Sequence, residues 1–285
     1  MTDPNVHREP DVLIEPAELT ELLAGGSDVV LADVRWTLGG PPGTADFEQA
    51  HLPGAQWVDL DHELAGLPGP GGRHPLPAAA DFEAAMRRIG VRPERLVVGY
   101  DAATSLSAAR LWWLLTDAGH QRVRVLNGGL AGWLGAGLPT ESGPAGDAPS
   151  GTFLARPGQR KQLQAAEIVG AIQRGHLLQL VDVRAAERYT GETEPMDPVA
   201  GHIPGAVNRA STTHVDESGR FLPSAELRAQ FADLDAPVFY CGSGITAAHS
   251  LLALEASGRT GGIYPGSWSN WISDPARPVA TGPTP

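Results

Sequence analysis

Cys241 is the one cysteine in a chain of 285 residues. It stands where an apolar run, Pro237-Val238-Phe239-Tyr240, gives way to a Gly-rich turn, Cys241-Gly242-Ser243-Gly244-Ile245-Thr246, that opens a helical segment. A thiol in that position is a candidate nucleophile. The thiolate is the reactive form of cysteine, and the N–H groups of a tight turn and of the first turn of a helix favour it. Two glycines within three residues suit a loop that curls its amides around an anion, because they carry no Cβ at the tight points. A cysteine that only packs a core as a small hydrophobe would draw nothing from such neighbours.

A wider pattern must place that loop. Leu31-Ala32-Asp33-Val34-Arg35 recurs as Leu180-Val181-Asp182-Val183-Arg184, and His51-Leu52-Pro53-Gly54-Ala55 recurs as His202-Ile203-Pro204-Gly205-Ala206. Val97-Val98-Gly99-Tyr100 parallels Val238-Phe239-Tyr240, and the stretch from Gly128 to Trp133 parallels Pro265-Gly266-Ser267-Trp268. A repeat of about 150 positions lies far above solenoid periods and indicates two whole domains. Residues 1–140 form the first copy and 161–285 the second. The stretch 141–160 between them, rich in Gly, Pro, Ala and Ser, reads as a linker.

Within each copy, short apolar runs alternate with amphipathic segments, which predicts an α/β fold with a mainly parallel sheet flanked by helices. The first copy gives a strand over 28–34, a helix over 81–89, a strand over 96–100, a helix over 108–118 and a strand over 123–126. The second gives a helix over 165–173, a strand over 177–183, a helix over 225–232, a strand over 238–240 and a helix over 245–257. Ligands of such sheets sit beyond the carboxyl ends of the strands, where Cys241 falls.

Composition narrows the function. A hydrophobic fraction of 42% with 19% charged residues fits a globular protein, and a net charge of -12 argues against a nucleic-acid partner. The first residues, MTDPNVHREPDVL, show neither the basic nor the apolar part of a signal peptide, and no apolar run has the length of a membrane span. A cytoplasmic location is expected. One cysteine can form no internal disulfide and no thiolate-rich zinc site, so a free thiol without metal or organic cofactor is expected.

With Asp-Val-Arg, His-Ile-Pro-Gly-Ala and Cys-Gly-Ser-Gly-Ile-Thr-Ala in fixed order, the chain resembles the two-domain rhodanese family of sulfurtransferases over nearly its whole length. The resemblance implies two tandem rhodanese-like domains, the first without the active cysteine. Asp101 indeed follows Val97 to Tyr100 where the second copy has Cys241. It also implies transfer of a sulfane sulfur from a small donor through a Cys241 persulfide to a thiol or cyanide, with a thioredoxin-like protein among the candidate acceptors. The active loop is similar to that of 3-mercaptopyruvate sulfurtransferases, which carry Cys-Gly-Ser/Thr-Gly, whereas thiosulfate sulfurtransferases carry Cys-Arg-Lys-Gly. Gly242 and Ser243 bring no charge for a thiosulfate dianion.

The same resemblance assigns residues. Ser243, His74 and Asp61 match a proton relay that meets across the domains, with His74 titrating near neutrality and Asp61 orienting it. Arg188 matches an arginine directed at the donor's carboxylate or sulfonate. Mercaptopyruvate enzymes place a second arginine shortly downstream, but 191–201 contains none. Gly242, Gly244, Ile245 and Thr246 complete the expected substrate-binding loop, its several amides converging on the sulfur and Thr246 capping the helix.

Asp33, Arg35, Asp182 and Arg184 occur in both copies, including the one without cysteine, so a structural role is expected of them and of His51 and His202. Trp268 and Trp271 are read as core or pocket wall. Two rival functions stay open. A cysteine phosphatase or arsenate reductase would need an arginine closing a Cys-x5-Arg loop, where this chain has Ala247. A sulfur carrier loaded by a partner enzyme would need no efficient small-molecule donor.

Overall fold

The computed structural model describes residues 12–176 and 178–285. The first half builds a five-stranded parallel sheet from β1 (Leu13–Ile14), β2 (Val29–Asp33), β3 (Gln56–Trp57), β4 (Leu96–Tyr100) and β5 (Val123–Leu126), in the order β1-β5-β4-β2-β3. The second half builds a four-stranded parallel sheet from β6 (Leu180–Asp182), β7 (Val207–Asn208), β8 (Val238–Tyr240) and β9 (Gly262–Ile263), in the order β7-β6-β8-β9. A parallel bridge from Gln162 to Ile263 stands where the first sheet has its edge strand.

The repeated motifs occupy equivalent places. Asp33 pairs in register with Tyr100, and Asp182 with Tyr240. In each copy the tyrosine hydroxyl accepts the amide of the residue after the repeated histidine, Leu52 N–H or Ile203 N–H, at 3.1 Å. Arg35 and Arg184 fork onto Asp33 and Asp182 and reach a carbonyl of the next loop, Ala50 or Gly201, at 2.6 Å. His51 and His202 bond carbonyls of Phe47 and Tyr189 at 2.8 Å and stack on those same rings. These residues fix the loops at the strand ends.

The strand expected over 177–183 is shorter, running from Leu180 to Asp182, and Leu177 lies outside the described residues. The helices Ala165–Gln173, Leu106–Asp117 and Ile245–Ala256 fall where the apolar spacing puts them. The last two follow directly on the loops after β4 and β8, and they pack against each other. Their buried faces, with Trp112, Trp113 and Leu115 from one side and Leu251, Leu252 and Leu254 from the other, join both halves in one core. Each such side chain contributes about 1.5–3 kcal/mol on burial, so the halves are held as one body with their loops side by side. The stretch 141–160 contains no helix or strand, and the Thr152, Phe153 and Arg156 amides bond carbonyls of Val91 and Ala118 in the first half.

Candidate active site

Cys241 follows β8 directly, and Gly244 enables the turn after it. Gly244 has φ +87°, a left-handed value that glycine adopts without strain, and a Cβ there would lie 2.2 Å from the Pro265 carbonyl oxygen. The turn swings the Gly244 amide onto Cys241 Sγ at 3.1 Å. Among the described residues this is the one amide bonded to the sulfur, where several were expected. The amides of Ile245 and Thr246 stand at the first turn of the helix that begins at Ile245, without an intrahelical acceptor and without a bond to Sγ. That helix is capped by Gly244 with no side-chain bond, so Thr246 is an interior residue and not its cap. On the other side, Ser267 Oγ accepts the Cys241 amide at 3.1 Å and stands 4.0 Å from Sγ. Ser267 holds this place with a non-glycine φ of 54°.

The thiol is 2% exposed but opens into a cavity of about 360 Å³. Trp36, Leu38 and Leu106 line it from the first half, and Val183, Ile245 and Thr246 from the second. Gly242 and Ser243 also face this space, whereas Gly244 lies behind it with its amide on the sulfur.

Asp61 and His74 reach this loop from the first half. Asp59 caps the short helix Leu60–Glu63, accepting the Asp61 and His62 amides at 2.9 and 3.2 Å, which fixes Asp61 on its first turn. His74 ends a Gly- and Pro-rich loop that lies on the second half. Pro70 O accepts bonds from Asn270 Nδ2 at 2.6 Å and Ser273 Oγ at 3.0 Å, and the Arg73 amide donates to Ser269 Oγ at 2.9 Å. At Gly72, φ +111°, a Cβ would meet the Gly266 carbonyl at 2.9 Å, so the close approach requires glycine.

His74 Nδ1 lies 2.7 Å from Ser243 Oγ, and its Nε2 lies 3.5 Å from Asp61 Oδ1. Trp36 Nε1 donates to Asp61 Oδ2 at 3.0 Å, and its ring stands nearly perpendicular to the imidazole. The carboxylate accepts only, so the neutral imidazole carries its proton on Nε2 and Nδ1 accepts from the Ser243 hydroxyl. Burial pushes His74 down to about 4 against the pull of Asp61, with Arg110 and Arg73 adding to the decrease. The histidine thus rests neutral, not near its midpoint as expected from sequence.

Arg188 lines the cavity from the short helix Ala186–Thr190. Its Nε and Nη2 are taken by Glu194 at 2.6–3.1 Å, and Nη2 also reaches Asp197 at 3.3 Å. Opposite it stands an arginine that the sequence reading did not single out. Arg73 Nη1 donates to Asp197 Oδ1 at 2.7 Å, so one carboxylate spans guanidinium groups from the two halves. A Cβ on Gly242 would lie 3.0 Å from Arg73 Nη2 and 3.8 Å from Arg188 Nη1, which places both cations over the loop. Arg73 therefore stands where the stretch 191–201 offers no arginine, and Asp197 from that stretch holds it.

Asp101, the counterpart of Cys241, is buried, and its own loop wraps it. Its carboxylate accepts the amides of Ala103, Ser105, Ser107 and Ala108 at 2.9–3.4 Å and the Ser107 hydroxyl at 3.2 Å. Trp268 and Trp271 are fully buried, with the Arg184 guanidinium 4.7 Å over the Trp268 ring, so they are core, and neither lines the cavity beside Cys241.

Two copies of one parallel α/β unit, with a lone thiol on the loop after β8 and a serine, histidine and aspartate meeting beside it, define a duplicated sulfur-handling fold. The rhodanese-like domain model matches residues 15–136 and 164–274, and the chain belongs to that family. It is 42% identical over 266 residues to the "Probable 3-mercaptopyruvate sulfurtransferase" of Pseudomonas aeruginosa, covering 90% of this chain and 93% of that one. It is 41% identical over 286 residues to the "Putative thiosulfate sulfurtransferase SseB" of Mycobacterium tuberculosis, covering 95% and 97%. The crystal structure of the mercaptopyruvate enzyme SseA from Escherichia coli superposes with a TM-score of 0.77 at 30% identity, covering 90% of this chain and 99% of that one. The protein is a sulfurtransferase, and the phosphatase reading falls. No helix among the described residues is long and apolar enough to cross a membrane.

Proposed function

We propose that the donor is 3-mercaptopyruvate, that Cys241 carries its sulfur as a persulfide, and that a thiol or cyanide removes it. The observation that carries this reading is the contact of Ser243 with His74 and of His74 with Asp61 beside the thiol loop. Breaking the carbon–sulfur bond of a mercapto-2-oxo acid moves a proton. Thiosulfate gives up its outer sulfur and leaves sulfite with no proton to place, so a relay would stand idle.

The Cys241 thiolate bonds to the donor's sulfur, and the donor's carbon–sulfur bond breaks with its electron pair passing to the carbon beside the carbonyl. The proton of the donor's thiol passes through Ser243 and His74 to that carbon, which leaves pyruvate and an anionic persulfide. An acceptor thiolate then attacks the outer sulfur, and Cys241 departs as the thiolate. Gly242, Ile245 and Thr246 offer main-chain dipoles to the outer sulfur, and the Gly244 amide holds the inner one. Arg188 and Arg73 hold the donor's carboxylate over Gly242, each with one guanidinium corner directed there. Trp36 and Ile245 give its carbon chain an apolar wall.

Residues 161–285 supply the carrier sulfur, Ser243 and Arg188 in this reading, and residues 1–140 supply His74, Asp61 and Arg73. A thioredoxin-like protein acting in the cytoplasm suits as physiological acceptor, because a lone thiol persists there and the second thiol of a dithiol releases the transferred sulfur as hydrosulfide by forming a disulfide. Parallel steady-state kinetics with mercaptopyruvate and thiosulfate, together with intact mass measurement, test the proposal. Mercaptopyruvate should be the better donor by kcat/KM, and sulfur mass should appear on the native protein but not on Cys241→Ser. Single loading without turnover would favour a carrier loaded by a partner.

A further inference from the structure

Arg110 lies in the helix Leu106–Asp117 of the first half and is 0% exposed. Its guanidinium meets carbonyl oxygens alone: Leu64 at 3.2 Å, His74 at 3.2 Å, Pro75 at 3.3 Å and, from the second half, Gly244 at 3.4 Å. Among the described residues no carboxylate lies within ion-pair distance of it. A buried cation without a counter-charge is costly, so an anion that forms beside it is favoured.

The other arginines around the loop are matched by carboxylates. Arg73 faces Asp197, Arg188 faces Glu194 and Asp197, and Arg184 faces Asp182 and Glu194. His74 rests neutral, and Asp61, the one carboxylate here without a cation, is half exposed to solvent where it turns to His74 and Trp36. Arg110 is left as the fully buried cation beside the loop with no carboxylate, and the buried group able to become its partner is the Cys241 sulfur whose Gly244 clasp it touches. Burial brings Arg110 down to about 10, still charged at neutral pH, and the Cys241 charge pushes it back up.

We infer that Arg110 is the counter-charge of Cys241, a positioning residue that favours the anionic sulfur as thiolate and as persulfide while tying the His74 segment to the active loop across the two halves. The inference rests on the assignment of Cys241 as the sulfur carrier, but its test needs no donor, so the two can fail separately.

The test is the alkylation rate of Cys241 by iodoacetamide in the full-length protein, in native, Arg110→Lys and Arg110→Gln forms. At about pH 7, Arg110→Gln should react about tenfold or more slowly than native protein, and the two should converge near pH 10 where every thiol is ionised. Arg110→Lys, which keeps the charge, should stay within about threefold of native at both values. Equal rates for Arg110→Gln and native at pH 7, an equal slowing at both pH values, or Arg110→Lys behaving as Arg110→Gln would overturn the inference. Should Arg110→Gln not fold, the native protein decides. The thiolate absorbance near 240 nm, taken as the difference between native protein and Cys241→Ser at about pH 7, must be present, and its absence overturns the inference.

Discussion

His74 Nδ1 and Ser243 Oγ meet at 2.7 Å although 169 positions of chain separate them. The contact exists because a glycine-rich loop of one half lies on the other, and it joins a proton-moving group to the residue two positions after the thiol. His74→Gln or Ser243→Ala should lower kcat with mercaptopyruvate about 10²–10⁴-fold, the usual share of general acid–base catalysis. Turnover with thiosulfate, which moves no proton, should stay within about threefold in the same variants. Steady-state kinetics with both donors decide it, and an equal loss with both would make the contact structural.

Burial holds His74 near 4 and His249 near 3, against an ordinary value of 6.5. The unfolded chain therefore binds protons that the folded chain refuses, and stability rises with pH across that window. The folded state keeps its full margin above 6.5 and loses up to about 1.4 kcal/mol per pH unit for each such histidine as pH falls toward 4. Thermal melts at successive pH values should show this slope, and His249→Phe, which can still stack on Phe221, should flatten it. An unchanged slope in that variant would remove His249 from the account.

Asp197 binds Arg73 at 2.7 Å and Arg188 at 3.3 Å. Arg73→Gln and Arg188→Gln should each raise KM for mercaptopyruvate about tenfold or more, since a charge-assisted bond to a carboxylate is lost, with a smaller change in kcat. If Arg73→Gln leaves KM untouched, the cation from the first half has no hold on the donor.

The two glycines of the loop should respond differently. Gly244→Ala sets a Cβ 2.2 Å from the Pro265 carbonyl oxygen at φ +87°, against rigid backbone, and should cost about 2–3 kcal/mol and most of the activity. Gly242→Ala brings its Cβ 3.0 Å from the tip of Arg73, which can shift, so folding should survive while KM rises. Thermal melts paired with kinetics separate the two, and a stable, fully active Gly244→Ala would contradict the geometry of the turn.

Much of the fold is legible in local sequence. The paired Asp-Val-Arg and His-x-Pro-Gly-Ala motifs announce a duplication because each closes a strand end with bonds inside its own copy. Cys241 and its glycines are equally local, and the family pattern carries Asp61, His74 and Arg188. Arg73, Asp197, Ser267 and Arg110 escape a local reading because their partners come from distant segments, most of them across the contact of the two halves. Arg110 still left a trace: it is the one charged residue in the apolar run from Leu106 to Leu115, where an unopposed cation is out of place. The departure in 191–201 reads as a lost arginine in sequence, whereas in space the missing cation arrives from the loop before His74.

Asp101 closes the socket of the first copy with a carboxylate that is part of the chain and cannot diffuse away. Its five bonds leave no room for a second guest, and that copy has no thiol to recruit one. Duplication therefore doubled the walls of this enzyme without adding a second thiol, and the loading expected with Cys241 as carrier is one transferable atom per polypeptide.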